Sequence, residues 1–452
     1  MAHPGLHDDL VGVVGTTHVL TGDLTASHVV DWTGRWTGRC AGVVRPASAE
    51  ELAAVVEVCA RHGAPMVPQG GNTGLVGGAV PEGDAVVLST SRLRSLGPVD
   101  AVGGQITAGA GVTVAEVAAA ARRTGWRYAV DFAARDTATI GGSIATNAGG
   151  HHVLRFGMTR RQLVGIEAVL ADGRVLSHLG GLVKDNTGYD LAGLLCGSEG
   201  TLGIVTAARL ALVPEPGPLA VALVGFADLQ TAIAAIGPLR RALPEVEAIE
   251  LMLDDGLAAV GAHLAVRPPV EDPVVLLIET GGGPDPVETL VEAVASSGPV
   301  GATAVGSDPR SSAEIWRWRE AHTEVINAVG PHPPHKLDVT LPLDAVAEFV
   351  PRVRAAVRSA HPDASTWIFG HAGDGNLHVN VTGPAPEDGS VDEIVLRLVA
   401  DAGGSISAEH GIGRVKRPWL HLNRSAEEID TFRAIKAALD PDGLLNPGVL
   451  LP

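Results

Sequence analysis

The chain has few aromatic residues, few cysteines and few lysines. Aromatic residues make up 3% of its 452 positions, so alanine, valine and leucine must fill the core. The three cysteines, Cys40, Cys59 and Cys196, are odd in number and lack a C-x-x-C spacing, which is typical of unpaired thiols in a reducing compartment. No apolar run has the length of a signal-peptide core or a membrane span. We therefore expect a cytoplasmic protein.

The charge balance is acidic, with a formal net charge of -18. Only four of the 33 basic residues are lysines, and no basic stripe is present that could follow a phosphate backbone, which argues against nucleic-acid binding. The composition, 46% hydrophobic and 19% charged, indicates a compact globular protein. Its length favours two domains rather than one.

Local signals place several elements along the chain. Capping boxes at Ser48–Glu51 and Thr113–Glu116 predict one helix over 49–62 and another that ends at Gly125. Asp172-Gly173 between two apolar runs predicts a hairpin. After "VPEPGP" (213–218) the pattern changes to strands that alternate with helices, so we place a domain boundary near residue 215.

Two glycine-rich runs lie in the first half, "GGNTGLVGG" (70–78) and "TIGGSIATNAGG" (139–150). Both are predicted as loops whose exposed backbone N–H groups could cradle a phosphate. The first run lacks the Lys-Ser/Thr of a P-loop and the helix start of a Rossmann fingerprint, which disfavours a conventional nucleotide fold. From the residues alone, plain turns remain an equal alternative.

The stretch "GHAGDGNLHVN" (370–380) places two histidines around a glycine-rich turn. The reversal at Asp374-Gly375 can bring His371 beside His378, and two neutral imidazoles are two thirds of a catalytic divalent-metal site. In "SAEHGIG" (407–413), Glu409 could be the third ligand and His410 a base. The alternative is that these are ordinary polar loop residues.

A second polar group lies in "WRWREAHTEVI" (316–326), which reads as a helix. Arg319 and Thr323 are four residues apart and therefore share a face, and a guanidinium can hold a carboxylate bidentately. Lys336, just before a strand, could supply a second cation. A solvated amphipathic helix is the alternative interpretation.

Six motifs in one order carry a family resemblance: "PQGGNTGLVGG", "TIGGSIATNAGG", "VKDNTGYDLAGLLCGSEGTLGIVT", "GHAGDGNLH", "SAEHGIG" and "DPDGLLNPG". Together they resemble the FAD-linked 2-hydroxy acid dehydrogenases of the vanillyl-alcohol oxidase superfamily, over nearly the whole chain. The resemblance implies an α+β fold. Residues 1–214 would form a PCMH-type (p-cresol methylhydroxylase-type) FAD-binding domain of two α+β subdomains. Residues 215–415 would form a substrate- and metal-binding domain of antiparallel sheet covered by helices, and 416–452 a helical tail that packs back on the FAD domain.

The resemblance also implies which residues bind FAD. These are Gly70, Gly71, Asn72, Thr73, Gly74, Leu75, Thr139, Gly142, Ala145, Thr146, Asn147, Gly149, Gly150, Glu199, Gly200, Ile204 and Asn446. Relatives that tether the flavin covalently through the first loop have a histidine there. This chain has Asn72, so non-covalent FAD is expected.

For the second domain, the resemblance implies a divalent metal, zinc or a similar ion, bound by His371, His378 and Glu409, with His410 as the catalytic base. The residues that match substrate contacts are Arg319, Thr323, Lys336 and Asn380. The implied reaction is oxidation of a D-2-hydroxy acid to the 2-keto acid, with hydride transfer to flavin N5.

The helix motif and the Lys-x-Asp strand resemble the D-2-hydroxyglutarate members more than the D-lactate or glycolate members, which remain the alternative. Two other classes stay open, a zinc hydrolase that uses the same ligands and a non-catalytic flavoprotein subunit. The electron acceptor is expected to be electron-transfer flavoprotein or quinone. The metal's identity and the oligomeric state, a homodimer included, are left open by the sequence.

Overall fold

The computed structural model describes residues 3–281 and 284–451. By its internal contacts the chain divides into two compact units. The first unit contains residues 1–150, 157–215 and 409–452, and the second contains 151–156 and 216–408. The domain boundaries given above stay predictions.

The helices and strands follow one another along the chain. Up to residue 215 they are α1 (Leu6–Val14), β1 (Val19–Leu20), β2 (Gly42–Val44), α2 (Ala49–Arg61), β3 (Met66–Gln69), β4 (Val86–Ser89), β5 (Gln105–Gly109), α3 (Val114–Arg122), β6 (Trp126–Arg127), α4 (Ile140–Thr146), α5 (Val153–Phe156), α6 (Thr159–Gln162), β7 (Leu163–Val169), β8 (Val175–His178), α7 (Leu191–Leu195), β9 (Ile204–Ala211) and β10 (Val213–Pro214). Beyond it they are β11 (Ala220–Phe226), α8 (Leu229–Ala242), β12 (Val246–Leu253), α9 (Asp254–Leu264), β13 (Val274–Thr280), α10 (Pro286–Ser296), β14 (Thr303–Gly306), α11 (Pro309–Asn327), β15 (His335–Thr340), α12 (Val346–Ala360), β16 (Ser365–His371), β17 (Asn376–Thr382), α13 (Gly389–Asp401) and α14 (Ala426–Leu439).

The local signals named above are confirmed. The Ser48 side chain accepts a hydrogen bond from the Glu51 N–H at the start of α2, and Thr113 forms a complete capping box at the start of α3. Strands β7 and β8 pair antiparallel across the Asp172-Gly173 turn. Among the residues that the structure describes, no helix combines the length and the apolar composition that crossing a bilayer requires.

The first unit is built on two four-stranded sheets. One has the order β1-β2-β4-β3 and packs with α1 and α2 around an apolar core, and the other has the order β5-β9-β7-β8 and packs with α3 and α4. The C-terminal segment belongs to the same unit. Met66 donates its N–H to Leu444 O at 2.7 Å and accepts from the Asn446 N–H at 2.7 Å, so the last residues of the chain extend the edge of the first sheet.

The second unit contains one antiparallel sheet with the order β14-β11-β13-β12-β16-β17-β15. Strands β11, β12 and β13 are buried at every residue, which requires cover on both faces. Helices α9 and α11 pack on the face that presents Val221, Leu223 and Met252. Because side chains alternate along a strand, the intervening apolar residues turn the other way, toward α8, α10, α12 and α13.

His335 and Asp392 tie strand β15 to helix α13. The ring Nδ1 of His335 lies 2.9 Å from Asp392 Oδ2, and Nε2 lies 3.0 Å from Ala385 O. The His335 side chain is 0% exposed, so it depends on these acceptors.

We predict that Asp392→Ala lowers the free energy of unfolding by about 3 kcal/mol, because a buried imidazole then loses its charged partner. The matched control is Glu393→Ala, next on the same helix, whose half-exposed carboxylate pairs with Arg397; it should cost about 0.5 kcal/mol or less. Urea unfolding measures both. Equal effects would mean that the His335 contact contributes nothing.

Candidate functional site

The two glycine-rich runs of the first unit lie directly against each other. A Cβ added at Gly70 would come within 2.4 Å of Thr139 Oγ1, and one added at Gly71 within 2.0 Å of Thr137 O. Only glycine allows these close approaches. The two runs, which are far apart in the sequence, therefore lie side by side and form one surface lined by glycine.

The second run is a helix over Ile140–Thr146 rather than a loop, so the prediction was wrong for that part. Residues Ile140–Thr146 form helix α4, with Thr139 as N-cap accepting from the Gly142 N–H and Asn147 ending the helix in the left-handed region at φ 51°. The glycines signalled a loop, but Ile140 and Ile144 are fully buried, and their burial stabilises a helix that local propensity disfavours.

The other residues assigned to FAD lie in the same unit. The Asn72 amide donates to Ser27 O and Val30 O, and the buried Asn446 donates to Gly78 O at 2.9 Å and to Glu199 O at 2.7 Å. Thus the first glycine run, the Glu199 turn and the C-terminal segment are joined. Thr73, Gly74 and Leu75 continue the first run; Ala145 and Thr146 lie in α4; Gly149 and Gly150 follow it; Gly200 lies in the turn after Glu199, and Ile204 begins β9.

This arrangement fits a dinucleotide. Close-packed glycine backbone supplies N–H donors without side chains, which suits a pyrophosphate. Asn446 Oδ1 is buried and has no hydrogen-bond partner among the described residues, as expected of an acceptor that faces a ligand donor. Burial raises the pKa of Glu199, while the Ile412 and Gly413 N–H groups that it accepts at 2.8 Å act in the opposite direction.

Glu409 and His410 also belong to the first unit. The Glu409 carboxylate accepts the N–H of Gly150, at the end of the second glycine run. The sequence analysis placed both residues with the second domain, near its boundary. Their predicted roles as ligand and base are not tested by the contacts inside either unit.

In the second unit, the hairpin of β16 and β17 brings the two predicted histidines together. The rings of His371 and His378 lie edge to face with centroids 5.2 Å apart. Gly375 makes the reversal possible: it adopts φ 83°, and a Cβ there would come within 2.2 Å of Leu341 O. The juxtaposition inferred from the turn is therefore confirmed.

Each of these imidazoles has a carboxylate on the same ring nitrogen. His371 Nδ1 lies 2.7 Å from Glu250 Oε1, and His378 Nδ1 lies 3.3 Å from Asp338 Oδ1. A carboxylate on Nδ1 fixes the tautomer in which Nε2 carries the lone pair, which is the usual support of a metal-binding histidine. The donor set therefore fits a divalent cation.

Glu250 was missed by the sequence analysis. Its second oxygen accepts from Arg319 Nε at 2.7 Å. Burial raises the pKa of Glu250, but the attraction of His371 and Arg319 and the hydrogen bond from His371 outweigh burial and hold the pKa at about 2. A glutamate within the apolar run "VEAIELML" was the available signal, yet its partners lie on distant segments.

The predicted substrate residues fall into two groups. Arg319 is buried in α11 with its guanidinium 4.6 Å from the Phe369 ring centroid, and Thr323 follows one turn later.

Lys336 and Asn380 are directly opposite each other on β15 and β17. Two residues along the same ladder, Asp338 faces His378, so the lysine, the amide and the imidazole share one face of the sheet.

His151 is a third imidazole near the pair and was also missed. Its ring centroid lies 4.9 Å from that of Trp316 and 5.8 Å from that of His371. Burial lowers the pKa of His151 to about 3, so the ring is neutral. The doubled histidine in "AGGHHVLRFG" was the only sequence signal.

The comparisons with known proteins agree with this description. Residues 40–178 match an FAD binding domain, and residues 215–450 match the C-terminal domain of FAD linked oxidases. The p-cresol methylhydroxylase structure superposes with a TM-score of 0.79 over 98% of this chain and 95% of that one, at 16% identity, which confirms the α+β, PCMH-type fold. The two family matches define an FAD-dependent oxidoreductase.

The chain belongs to the family of FAD-linked oxidases. Among its relatives, D-2-hydroxyglutarate dehydrogenase of Xanthomonas citri pv. viticola is 40% identical over 93% of this chain and 91% of that protein. The mitochondrial D-2-hydroxyglutarate dehydrogenase of Bos taurus is 38% identical over 94% of this chain and 79% of that protein. Family membership disfavours the zinc hydrolase considered above.

We predict that Glu250→Gln lowers the free energy of unfolding by about 3–5 kcal/mol, because Arg319 then keeps a buried charge without an anionic partner. Glu324→Gln is the control on the same helix as Arg319: its side chain is 77% exposed, so about 0.5 kcal/mol or less is expected. Urea unfolding followed by tryptophan fluorescence measures both. A stable Glu250→Gln protein would contradict the role given to this carboxylate.

Proposed function

We propose that the protein oxidises D-2-hydroxyglutarate to the 2-keto dicarboxylate. The observation that carries the proposal is the pairing of Lys336 with Asn380 on the face that presents His378, with Arg319 near His371 through Glu250. Two separate cationic groups suit a substrate with two carboxylates. The names of the relatives in Xanthomonas citri pv. viticola and Bos taurus support the same substrate.

D-lactate and glycolate are the alternatives. Each has a single carboxylate, so it would contact only one of the two groups and would bind more weakly than the dicarboxylate. Lys336 and Arg319 thus favour a substrate that is long enough to contact both of them.

In this proposal, bound FAD supplies the hydride acceptor, N5 of its isoalloxazine. Arg319 offers its two terminal nitrogens to one substrate carboxylate, since its contact with Glu250 uses Nε, and the Thr323 hydroxyl adds a hydrogen bond. Lys336 and Asn380 hold the other carboxylate. His410 accepts the proton of the C2 hydroxyl as the C2–O bond becomes a carbonyl.

A divalent cation belongs to the same proposal. His371 and His378 would bind the cation through Nε2. The sequence motif indicates Glu409 as the third ligand. When bound, such an ion lowers the pKa of a coordinated hydroxyl. A set of two histidines and one glutamate suits zinc, manganese and cobalt alike, with zinc as our first choice.

Three further features stay predictions: an electron acceptor of the electron-transfer flavoprotein or quinone type, a cytoplasmic location, and a homodimeric state. FAD held without a covalent bond is proposed from Asn72 at the position where tethered relatives have histidine.

An anaerobic titration tests the substrate. D-2-hydroxyglutarate should bleach the visible flavin absorbance stoichiometrically, while D-lactate and glycolate require much higher concentrations or leave it unchanged, because they lack the second carboxylate. The L enantiomer is the control. Bleaching by D-lactate at equal or lower concentration would contradict the assignment, and no bleaching by any hydroxy acid would point to the non-catalytic subunit.

We expect the activity to depend on pH through the protonation of Lys336. Burial lowers the pKa of Lys336 to about 8, so the ammonium form is present below that pH and is lost above it. We predict that kcat/KM for D-2-hydroxyglutarate falls above pH 8, by up to about tenfold per pH unit. Lys336→Arg, which stays charged, should remove this limb of the profile. If the variant keeps the same limb, another group titrates there.

A further inference from the structure

A second cluster of metal-binding side chains lies in the second unit and has no part in the function proposed above. It consists of His152 on the segment before α5, Glu247 on β12 and Glu279 on β13, and each offers one ligand atom within 4.8 Å of the others. We propose that these three side chains bind a divalent transition-metal cation, separately from His371 and His378.

The backbone places the two carboxylates on one side of the sheet. Leu277 pairs with Glu250 and Glu279 pairs with Ala248, so Glu279 turns to the same face as Glu250. The ladder of β12 and β13 is irregular between Val246 and Ala248, and Glu247 is the extra residue of that bulge. In a regular strand the Glu247 side chain would lie on the opposite face from that of Ala248. A bulge changes the direction of such a side chain.

Each carboxylate has one oxygen held by a protein donor and the other turned to His152. Glu279 Oε2 accepts from Trp316 Nε1 at 2.7 Å, and Glu247 Oε1 accepts from Arg155 Nη1 at 3.2 Å. The remaining oxygens, Glu279 Oε1 and Glu247 Oε2, lie 3.3 Å and 3.8 Å from His152 Nε2. Outer donors of this kind orient the ligands of metal sites.

These separations are wide for hydrogen bonds and suitable for a shared ion. An N–H···O bond is typically about 2.7–3.2 Å long. Two ligand atoms bound to one ion at about 2.1 Å, at angles from a right angle to the tetrahedral value, are about 3.0–3.4 Å apart. The shorter distance falls in that range, and the longer one needs a shift of a few tenths of an ångström.

The charge balance favours the same occupant. The Glu247 and Glu279 side chains are 1% and 8% exposed, and the Arg155 guanidinium that contacts Glu247 also contacts Glu245. Two buried carboxylates close together repel each other, and a cation between them offsets the repulsion. Two oxygens and one imidazole nitrogen suit zinc, manganese or ferrous iron, and three protein ligands leave positions for water or a ligand oxygen.

Cobalt(II) is the probe that tests the proposal, on the full-length flavoprotein stripped with a chelator. Bound cobalt is counted after gel filtration, and its visible absorption is recorded. Wild type should bind two equivalents, His378→Ala one, and His378→Ala combined with Glu279→Gln none. The amide in Glu279→Gln keeps the shape and the acceptor for Trp316 while removing the charge.

The matched control is Glu245→Gln, which alters the other partner of Arg155 and no ligand atom; it should keep every equivalent. Should His378→Ala misfold, the single variants decide: Glu279→Gln removes one equivalent from wild type and Glu245→Gln removes none, with unchanged flavin content as the folding check. An unchanged count in Glu279→Gln, or a His378→Ala protein that binds no cobalt, overturns the proposal and makes His152 the ion-pair partner of both carboxylates.

Discussion

The polar interior of the second unit is organised around the buried negative charge of Glu250. Removing a carboxylate from water is unfavourable, and the Arg319 guanidinium and the His371 imidazole, which contact Glu250, make its ionised form the stable one. These partners lie on α11 and β16, while Glu250 lies on β12. One charge therefore fixes a helix and two strands relative to one another, and with them the orientation of the first histidine of the candidate site.

Asp338 orients the imidazole of His378 in the same way. The buried Asn376 amide donates a hydrogen bond to Asp338 Oδ1 at 2.7 Å. The two imidazoles are thus oriented by protein groups before any ligand arrives. Such preorganisation means that the free energy of ordering the side chains is part of folding rather than of binding. The sheet can accommodate these buried polar groups because its other face, toward α12 and α13, is apolar at most positions. Burial of that apolar face stabilises the unit.

The elements that were predictable from sequence are those whose cause is local. The Ser48 and Thr113 caps and the Asp172-Gly173 hairpin depend on contacts within a few residues, the reversal at Gly375 depends on the backbone conformation of that residue, and each was found. Helix α4 was missed because burial of Ile140 and Ile144 decides it. Glu250 was missed because its partners are 69 and 121 residues away along the chain, a separation that no periodicity reveals. The family motifs supplied the FAD residues, which local patterns alone left undecided between turns and a phosphate cradle.

The pairing of Met66 with the segment around Leu445 has a consequence for biosynthesis. The first sheet gains its edge contact with Leu444 and Asn446, and Glu199 and Gly78 gain the Asn446 amide, only when these residues have been translated. The second unit, by contrast, is complete by residue 408. On the ribosome, the portion synthesised first is consequently the one that matures last, because part of its sheet edge comes from residues 444–446.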